Sequence, residues 1–197
     1  MSESGIYERL SEEMIHEHVA GEGVRDRQVL EAMRRVPRHQ FVPSELAGSA
    51  YDPEPLSIGH GQTISAPFIV GYMTEQLRLT EESDVLEIGT GCGYQTAVLA
   101  EIARAVYTVE YIPELSSAAK DRLDKMGYEN IHYHTGNGAE GWPGDRVFDG
   151  IIVTAAAAEV PERLLEQLCD NGRMIIPVGR SRQKLYLYER FGEELRK

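Results

Sequence analysis

Residues 85–94, VLEIGTGCGY, decide the fold of this chain. An apolar strand over 84–88 leads directly into a turn that carries glycine at every second position. Because glycine lacks a Cβ, the backbone there adopts positive φ and brings its N–H groups close to a ligand. A helix over 94–104 follows without proline or glycine. The stretch therefore predicts a strand, a ligand-binding turn and a helix of an α/β protein.

The glycine spacing is G-x-G-x-G rather than the G-x-G-x-x-G of dinucleotide sites. A second strand over 105–109 ends in Glu110, roughly 20 residues beyond Glu87, where an acidic side chain accepts both hydroxyls of a ribose. Two acids beside the turn suit a ligand with a ribose and a cation better than one with a pyrophosphate. We predict S-adenosylmethionine as this ligand, and a nicotinamide dehydrogenase is the weaker alternative.

The cysteines and histidines predict neither a nucleophile nor a metal site. Cys92 lies inside the turn, but no neighbouring residue activates it, so we interpret it as a small side chain tolerated beside the ligand. Together with Cys169 it gives no disulfide framework, which fits a reducing cytosol. The histidine pairs, His16 with His18 and His132 with His134, lack the cysteine or acidic partner that a metal needs.

The composition excludes several classes of protein. The chain has 197 residues, enough for one structural unit, and a net charge of −12, which argues against nucleic-acid binding. The sequence shows no signal peptide and no apolar run near the ~20 residues that span a bilayer. We therefore expect a cytoplasmic protein without a membrane partner, and a monomer.

The rest of the chain alternates between strand and helix patterns. We predict strands at 130–134, 149–153, 173–178 and 184–189, and helices at 113–125 and 161–169, with Asn171-Gly172 ending the last helix. This alternation predicts an α/β fold with a doubly wound, mostly parallel sheet and helices on both faces.

The N-terminal region forms an appendage to this pattern. Helices are predicted over 6–19 and 26–36, the second with Asp26 as its N-cap. Residues 41–64 are rich in Pro, Gly and Ser and are too long for a simple connector. We expect residues 1–64 to supply helices and a covering loop, and residues 65–197 to form the ligand-binding α/β domain.

From about residue 29 to residue 179 the chain resembles the protein-L-isoaspartate O-methyltransferases. Besides the glycine turn, the resemblance rests on VPRHQFVP (36–43), GHGQTISAP (59–67), IIVTAA (151–156) and GRMIIPVG (172–179). It implies a Rossmann-like methyltransferase fold, with S-adenosylmethionine as donor and S-adenosylhomocysteine as product. It also implies that the acceptors are L-isoaspartyl residues of damaged proteins and peptides, whose methylation starts their repair.

The resemblance assigns the site residues. Ser65 corresponds to the active-site serine, although Ser65-Ala66-Pro67 also predicts a helix start with Ser65 as N-cap. An isoaspartyl carboxylate, with a pKa of about 4, is ionised at neutral pH and needs no general base. Ser65 would orient it, with Thr154 and Ala155 lining the transfer site. The expected donor contacts are Gln62, Thr63, Ile64, Glu87, Gly89, Thr90, Gly91, Cys92, Gly93, Glu110, Tyr111, Asn137 and Gly138.

Two departures from the family pattern leave alternatives open. Asn137 stands where the family usually has an aspartate that accepts the adenine amino group, and its carbonyl accepts that bond more weakly. Relatives also continue with another strand, whereas this chain stops at Lys197. The alternatives are a methyltransferase of the same fold with another acceptor and a donor-binding protein without catalysis.

Overall fold

The structure, a computed structural model, describes residues 3–155, 157–179 and 182–197. The last residue of the predicted stretch 151–156 lies outside these ranges. The helices are α1 (Glu3–Glu13), α2 (Arg27–Arg35), α3 (Pro67–Leu77), α4 (Tyr94–Ala100), α5 (Pro113–Lys125) and α6 (Glu162–Glu166). The strands are β1 (Leu56–Gly59), β2 (Gln62–Ile64), β3 (Asp84–Ile88), β4 (Ala105–Glu110), β5 (Ile131–Thr135), β6 (Phe148–Val153), β7 (Leu168–Val178), β8 (Lys184–Phe191) and β9 (Glu194–Arg196).

The main sheet has the strand order β5-β4-β3-β6-β7-β8-β9. The strands from β5 to β7 pair in parallel, whereas β8 and β9 pair antiparallel. After β3 the chain builds outward through β4 and β5, and then returns to place β6 on the other side of β3. This switch point opens a crevice at the carboxyl ends of β3 and β6. The predicted doubly wound, mostly parallel sheet is confirmed, and the glycine turn lies at the crevice.

Side chains of the central strands alternate between two apolar layers. Val85 belongs to a cluster with Val98 of α4 and Leu123 of α5, whereas Leu86 belongs to a second cluster with Leu164 of α6. Helices therefore cover both faces of the sheet, as the alternating sequence pattern predicts.

The N-terminal helices pack into the first of these layers. The predicted helix over 6–19 is α1 followed by wider π-helical turns over Met14–Ala20, which the periodicity does not predict. Asp26 caps α2, because its carboxylate accepts hydrogen bonds from the N–H groups two and three positions later. Apolar side chains of both helices join the cluster that contains α3 and α4. The domain boundary after residue 64 stays a prediction.

Strand β7 corrects two predictions. The predicted helix over 161–169 is shorter, because Leu168 is buried and pairs in register with Phe148 of β6. Asn171, expected to end that helix with Gly172, instead lies in a bulge of β7 with a φ of 61°. Burial against the neighbouring strand therefore overrides the local helix pattern.

Two smaller boundaries also differ from prediction. Helix α4 ends at Ala100 rather than near residue 104, because the N–H groups of Ile102 and Ala103 both bond the carbonyl of Leu99 and close a tight turn. Strand β9 was not predicted, since its three residues are exposed and show no alternation.

Candidate functional site

The turn after β3 uses its three glycines for two different purposes. Gly89, Gly91 and Gly93 have φ values of 100°, 55° and 89°. A Cβ on Gly89 would lie 2.6 Å from Oγ1 of Thr154, and one on Gly93 would lie 2.9 Å from a methyl carbon of Leu123. Gly89 and Gly91 line the crevice, but Gly93 does not. The predicted ligand contact of Gly93 is therefore not supported, because this glycine permits packing against α5.

The crevice consists of two lobes that share Gly89, Glu110 and Ala155. The inner lobe encloses about 90 Å³ and the outer lobe about 690 Å³. The predicted residues that line the inner lobe are Gln62, Thr63, Ile64, Ser65, Gly89, Thr90, Gly91, Cys92 and Glu110. The predicted residues that line the outer lobe are Gly89, Glu110, Tyr111, Asn137 and Gly138. The structure thus gathers segments that are distant in sequence around one crevice.

Glu110 occupies the junction of the two lobes. Its Oε2 accepts a hydrogen bond from the N–H of Gly91 at 2.8 Å, and its Oε1 accepts one from the N–H of Ile112 at 2.9 Å. These two bonds hold the carboxylate in place at the end of β4. Each carboxylate oxygen has a second lone pair, which these two bonds leave unused.

Glu87 does not line either lobe, which corrects the prediction that it contacts the ligand. Its side chain points into the layer that contains α4, where the hydroxyls of Thr96 and Thr108 both donate to Oε2 at 2.6 Å. Its Oε1 is buried without a partner among the described residues. Burial raises the pKa of Glu87 to about 8. Glu87 therefore links β3 to α4 and β4 and does not face the crevice.

The outer lobe places Asn137 beside the largest open volume of the crevice. Its Oδ1 accepts a hydrogen bond from the N–H of Ala139, and its Nδ2 donates to Oε1 of Glu140, both at 3.1 Å. These bonds fix the orientation of the amide. Gly138 leaves room for Ile88, which a Cβ would overlap. Tyr111 is 76% exposed at the rim.

Ser65 lies where the inner lobe meets a third, lateral cavity of about 470 Å³. It does not cap α3: Ala66 occupies the N-cap position and no side chain bonds the helix end. Pro67 instead starts the helix with its fixed φ, which removes one N–H that would need a cap. The Ser65 hydroxyl has no hydrogen-bond partner among the described residues and is thus available to a ligand. The lateral cavity is otherwise mostly apolar and is lined by Ile69, Met73, Val153, Thr154, Pro177, Gln183 and Leu185.

Arg38 fixes the backbone of Ser65, a role that the sequence analysis missed. Its guanidinium is fully buried and donates from Nη2 to the carbonyl of Ser65 at 2.7 Å and from Nε to that of Ala50 at 2.6 Å. The guanidinium also lies 4.7 Å from the ring centre of Tyr94. The stretch 36–43 signalled a family resemblance but not this contact, because the partners are backbone carbonyls.

Cys92 is buried in the wall of the inner lobe. Burial raises the pKa of its thiol, so the nucleophilic thiolate is disfavoured. This environment agrees with its interpretation as a small side chain beside the ligand.

Thr154 and Gln95 complete the inner lobe. The hydroxyl of Thr154 lies 2.6 Å from the carbonyl oxygen of Gly89 and 3.0 Å from that of Ile88, and ties the end of β6 to the turn. Sequence reasoning placed Thr154 at the site but missed Gln95, which lies on α4 and donates from Nε2 to Oγ1 of Thr74 at 2.9 Å. A glutamine in a helix gives no motif by itself.

The described ranges contain neither a metal cluster nor a membrane-spanning helix. No cluster of three or more His, Cys, Asp or Glu side chains there has the arrangement of a metal site. No helix within those ranges combines the length and apolar character needed to cross a membrane.

Comparison with known proteins connects this chain to one family. The family model described as Protein-L-isoaspartate(D-aspartate) O-methyltransferase matches residues 9–197. A protein-L-isoaspartate O-methyltransferase of a Picosynechococcus strain is 50% identical over 94% of this chain and 84% of its own length.

Solved structures show the same architecture. A protein-L-isoaspartate O-methyltransferase superposes with a TM-score of 0.82 at 29% identity, and the match covers 96% of this chain and 61% of that one. A Plasmodium falciparum protein in complex with S-adenosyl-L-homocysteine gives a TM-score of 0.78 at 24% identity, over 93% and 89% of the two chains. The second likeness supports the fold alone.

Proposed function

The chain belongs to the protein-L-isoaspartate(D-aspartate) O-methyltransferase family, and from this premise we propose how its residues divide the work. Its reaction transfers the methyl group of S-adenosylmethionine to the free carboxylate of L-isoaspartyl residues in proteins. The methyl ester then cyclises to a succinimide, which reopens partly as normal aspartate. In our proposal the two-lobed crevice binds the donor, and Ser65 orients the acceptor.

The observation that carries this assignment is the position of Ser65 between two cavities. The inner lobe on one side contains the glycine turn and Glu110, and the lateral cavity on the other side is mostly apolar and open. A methyl group passing from one bound molecule to another must cross such a boundary. Ser65 offers a free hydroxyl at that boundary.

The residues of the crevice fit the donor. Glu110 is placed to accept the ribose hydroxyls, because its oxygens retain lone pairs after binding two backbone amides. The outer lobe offers apolar walls, including Val153 and Leu164, for a flat base, with Asn137 at its polar end. When bound, the donor supplies an electrophilic methyl group on a sulfonium.

The protein supplies alignment rather than proton transfer. The acceptor carboxylate is already ionised at neutral pH, so the site needs no general base. Ser65 donates a hydrogen bond to one carboxylate oxygen and holds the other in line with the methyl group, at roughly 3 to 3.5 Å before transfer. Arg38 keeps the Ser65 backbone in place. The lateral cavity is mostly apolar, so an acceptor that fills it displaces water from around its carboxylate, which strengthens these interactions.

The wider setting is also a proposal. The two free cysteines suit a reducing cytosol, and the net charge of −12 disfavours a nucleic-acid partner. On these grounds we propose a cytoplasmic enzyme with no nucleic-acid partner. We also propose that it is a monomer and has no membrane partner. Light scattering after size-exclusion chromatography tests the oligomeric state.

One assay tests the proposed acceptor. Labelled methyl transfer from S-adenosylmethionine is measured with an isoaspartyl peptide and with its aspartyl twin. We expect label only in the isoaspartyl peptide, released later as methanol when the ester cyclises. Equal labelling of both peptides would contradict isoaspartyl recognition. Donor binding without any transfer would favour the inactive alternative.

A further inference from the structure

Gln95 is a buried polar residue of the inner lobe that the mechanism above does not use. It is the second residue of α4, is 9% exposed and lies among the lining residues of that lobe. Its side chain reaches back to Thr74 in the middle of α3. A buried carboxamide at a ligand cavity carries both a donor and an acceptor, so its orientation decides which one the ligand meets.

The hydrogen bonds of Thr74 determine this orientation. The Thr74 hydroxyl lies 2.8 Å from the carbonyl of Val70, which can only accept, so the single hydroxyl hydrogen points there. Towards Gln95 the same oxygen must therefore accept, and Nε2 of Gln95 is the atom that donates, at 2.9 Å. Oε1 of Gln95 accepts no hydrogen bond from the described residues. The amide thus presents a free acceptor.

The shape of the crevice indicates which part of the donor this acceptor meets. The base fits the outer lobe, and Glu110 at the junction takes the ribose, so the amino-acid end extends into the inner lobe. That end carries an ammonium group, which needs acceptors. Among the described lining residues of the inner lobe, Glu110 is the one with a charged side chain, and it is engaged at the junction.

We infer that Oε1 of Gln95 accepts a hydrogen bond from the α-ammonium group of the methyl donor, with Thr74 holding the amide in the orientation this requires. This inference rests on the proposed function, because it takes S-adenosylmethionine as the ligand of the crevice. It makes Gln95 a specificity residue for the amino-acid end of the donor, and Thr74 a positioning residue.

The experiment compares two ligands that differ by one group. Calorimetry measures the affinity of S-adenosylhomocysteine and of its deamino analogue for the wild type, Gln95→Leu and Thr74→Val. A hydrogen bond to a charged group predicts a loss of about tenfold or more for S-adenosylhomocysteine in Gln95→Leu. The deamino analogue should bind the wild type and Gln95→Leu with affinities within about twofold. Thr74→Val should give a smaller loss of affinity with the same selectivity, because the side-chain amide of Gln95 is then free to rotate.

A purely structural role predicts a different result. If Gln95 only bridges α3 and α4, both ligands lose affinity equally, and that outcome overturns the inference, as does no loss at all. Gln28→Leu, the same change at an exposed position on α2, is the matched control and should alter neither affinity. Thermal unfolding shows whether each variant is folded. If Gln95→Leu does not fold, the comparison of the two ligands is made with Thr74→Val.

The outcome is separable from that of the proposed function. A wild type that does not bind S-adenosylhomocysteine refutes the donor assignment itself. A wild type that binds it but labels no isoaspartyl peptide refutes the acceptor assignment, while the ligand comparison still decides the role of Gln95.

Discussion

Different kinds of group line the two sides of Ser65, the crevice on the donor side and the lateral cavity on the acceptor side. The donor side consists of backbone at Gly89 and Gly91 and of a buried carboxylate, Glu110, held by two amides. The acceptor side is lined mostly by apolar side chains, of which Leu185 is 38% exposed at the rim. A donor of constant shape favours a rigid site made of backbone. Acceptors that differ in their neighbouring residues favour an open, apolar one.

The strongest test of this contrast is Gly89→Ala. The new Cβ would lie 2.6 Å from Oγ1 of Thr154 at a φ of 100°, so the turn must shift. We expect a loss of about 2 kcal/mol or more in unfolding free energy and a donor affinity about 100-fold lower, as calorimetry would show.

Gly127→Ala serves as its matched control. Gly127 also has a positive φ, of 85°, but nothing lies within 4 Å of its added Cβ. This variant carries the backbone strain without the collision, so it should lose stability and keep donor affinity. A Gly89→Ala protein with wild-type affinity would show that the donor side is not rigid.

Ser65→Ala separates the two sides directly. The hydroxyl is expected to orient the acceptor, so turnover should fall about 100-fold while donor affinity stays within about twofold of the wild type. Initial rates of methyl transfer and donor calorimetry measure the two quantities. Ser44→Ala, at an exposed serine, is the control. Equal losses of turnover and donor affinity would place Ser65 on the donor side instead.

The glycine turn and Glu110 were the most predictable part of the donor side, because they follow from one contiguous stretch of sequence. The strand over 84–88, the glycine turn and Glu110 occur in order along the chain, and parallel pairing brings them together without help from distant segments. Glu87 was expected to contact the donor, but alternation along β3 sends its side chain into the layer that contains α4. A sequence motif thus predicts the path of the backbone more reliably than the orientation of each side chain.

The acceptor side depends on contacts that no local pattern encodes. Arg38 binds the carbonyl of Ser65 from 27 positions away, and carbonyl partners leave no sequence signature. Ser65-Ala66-Pro67 predicts an N-cap, but the helix begins at Pro67 and leaves Ser65 outside. The length of β7 likewise depends on pairing with β6, which overrides the local helix pattern. These features need the tertiary structure.

Glu87, which lies below the donor side, makes the unfolding free energy of the protein depend on pH. Its pKa rises from the ordinary 4.5 to about 8 in the folded state, so the native protein keeps a proton that the unfolded chain has lost. Stability therefore falls as the pH rises from about 5 to 8 and levels off above that. Glu87→Gln removes this titration. Between pH 5 and pH 9 the unfolding free energy of the wild type should therefore fall by a few kcal/mol, on the order of the pKa shift, relative to that of the variant. Denaturant unfolding at both pH values measures it, and parallel profiles for the two proteins would contradict a buried, protonated Glu87.

The smallest expected effect concerns Asn137, where the donor side departs from its family. An aspartate would accept the adenine amino group more strongly, but it would also face Glu140, which now accepts from the Asn137 amide. Asn137→Asp alone therefore gains one interaction and creates a repulsion between two carboxylates. Asn137→Asp combined with Glu140→Gln removes that repulsion and should tighten donor binding by about threefold to tenfold, whereas Glu140→Gln alone should change it little. If the double variant binds no better than the wild type, the base is recognised by the walls of the outer lobe rather than by residue 137.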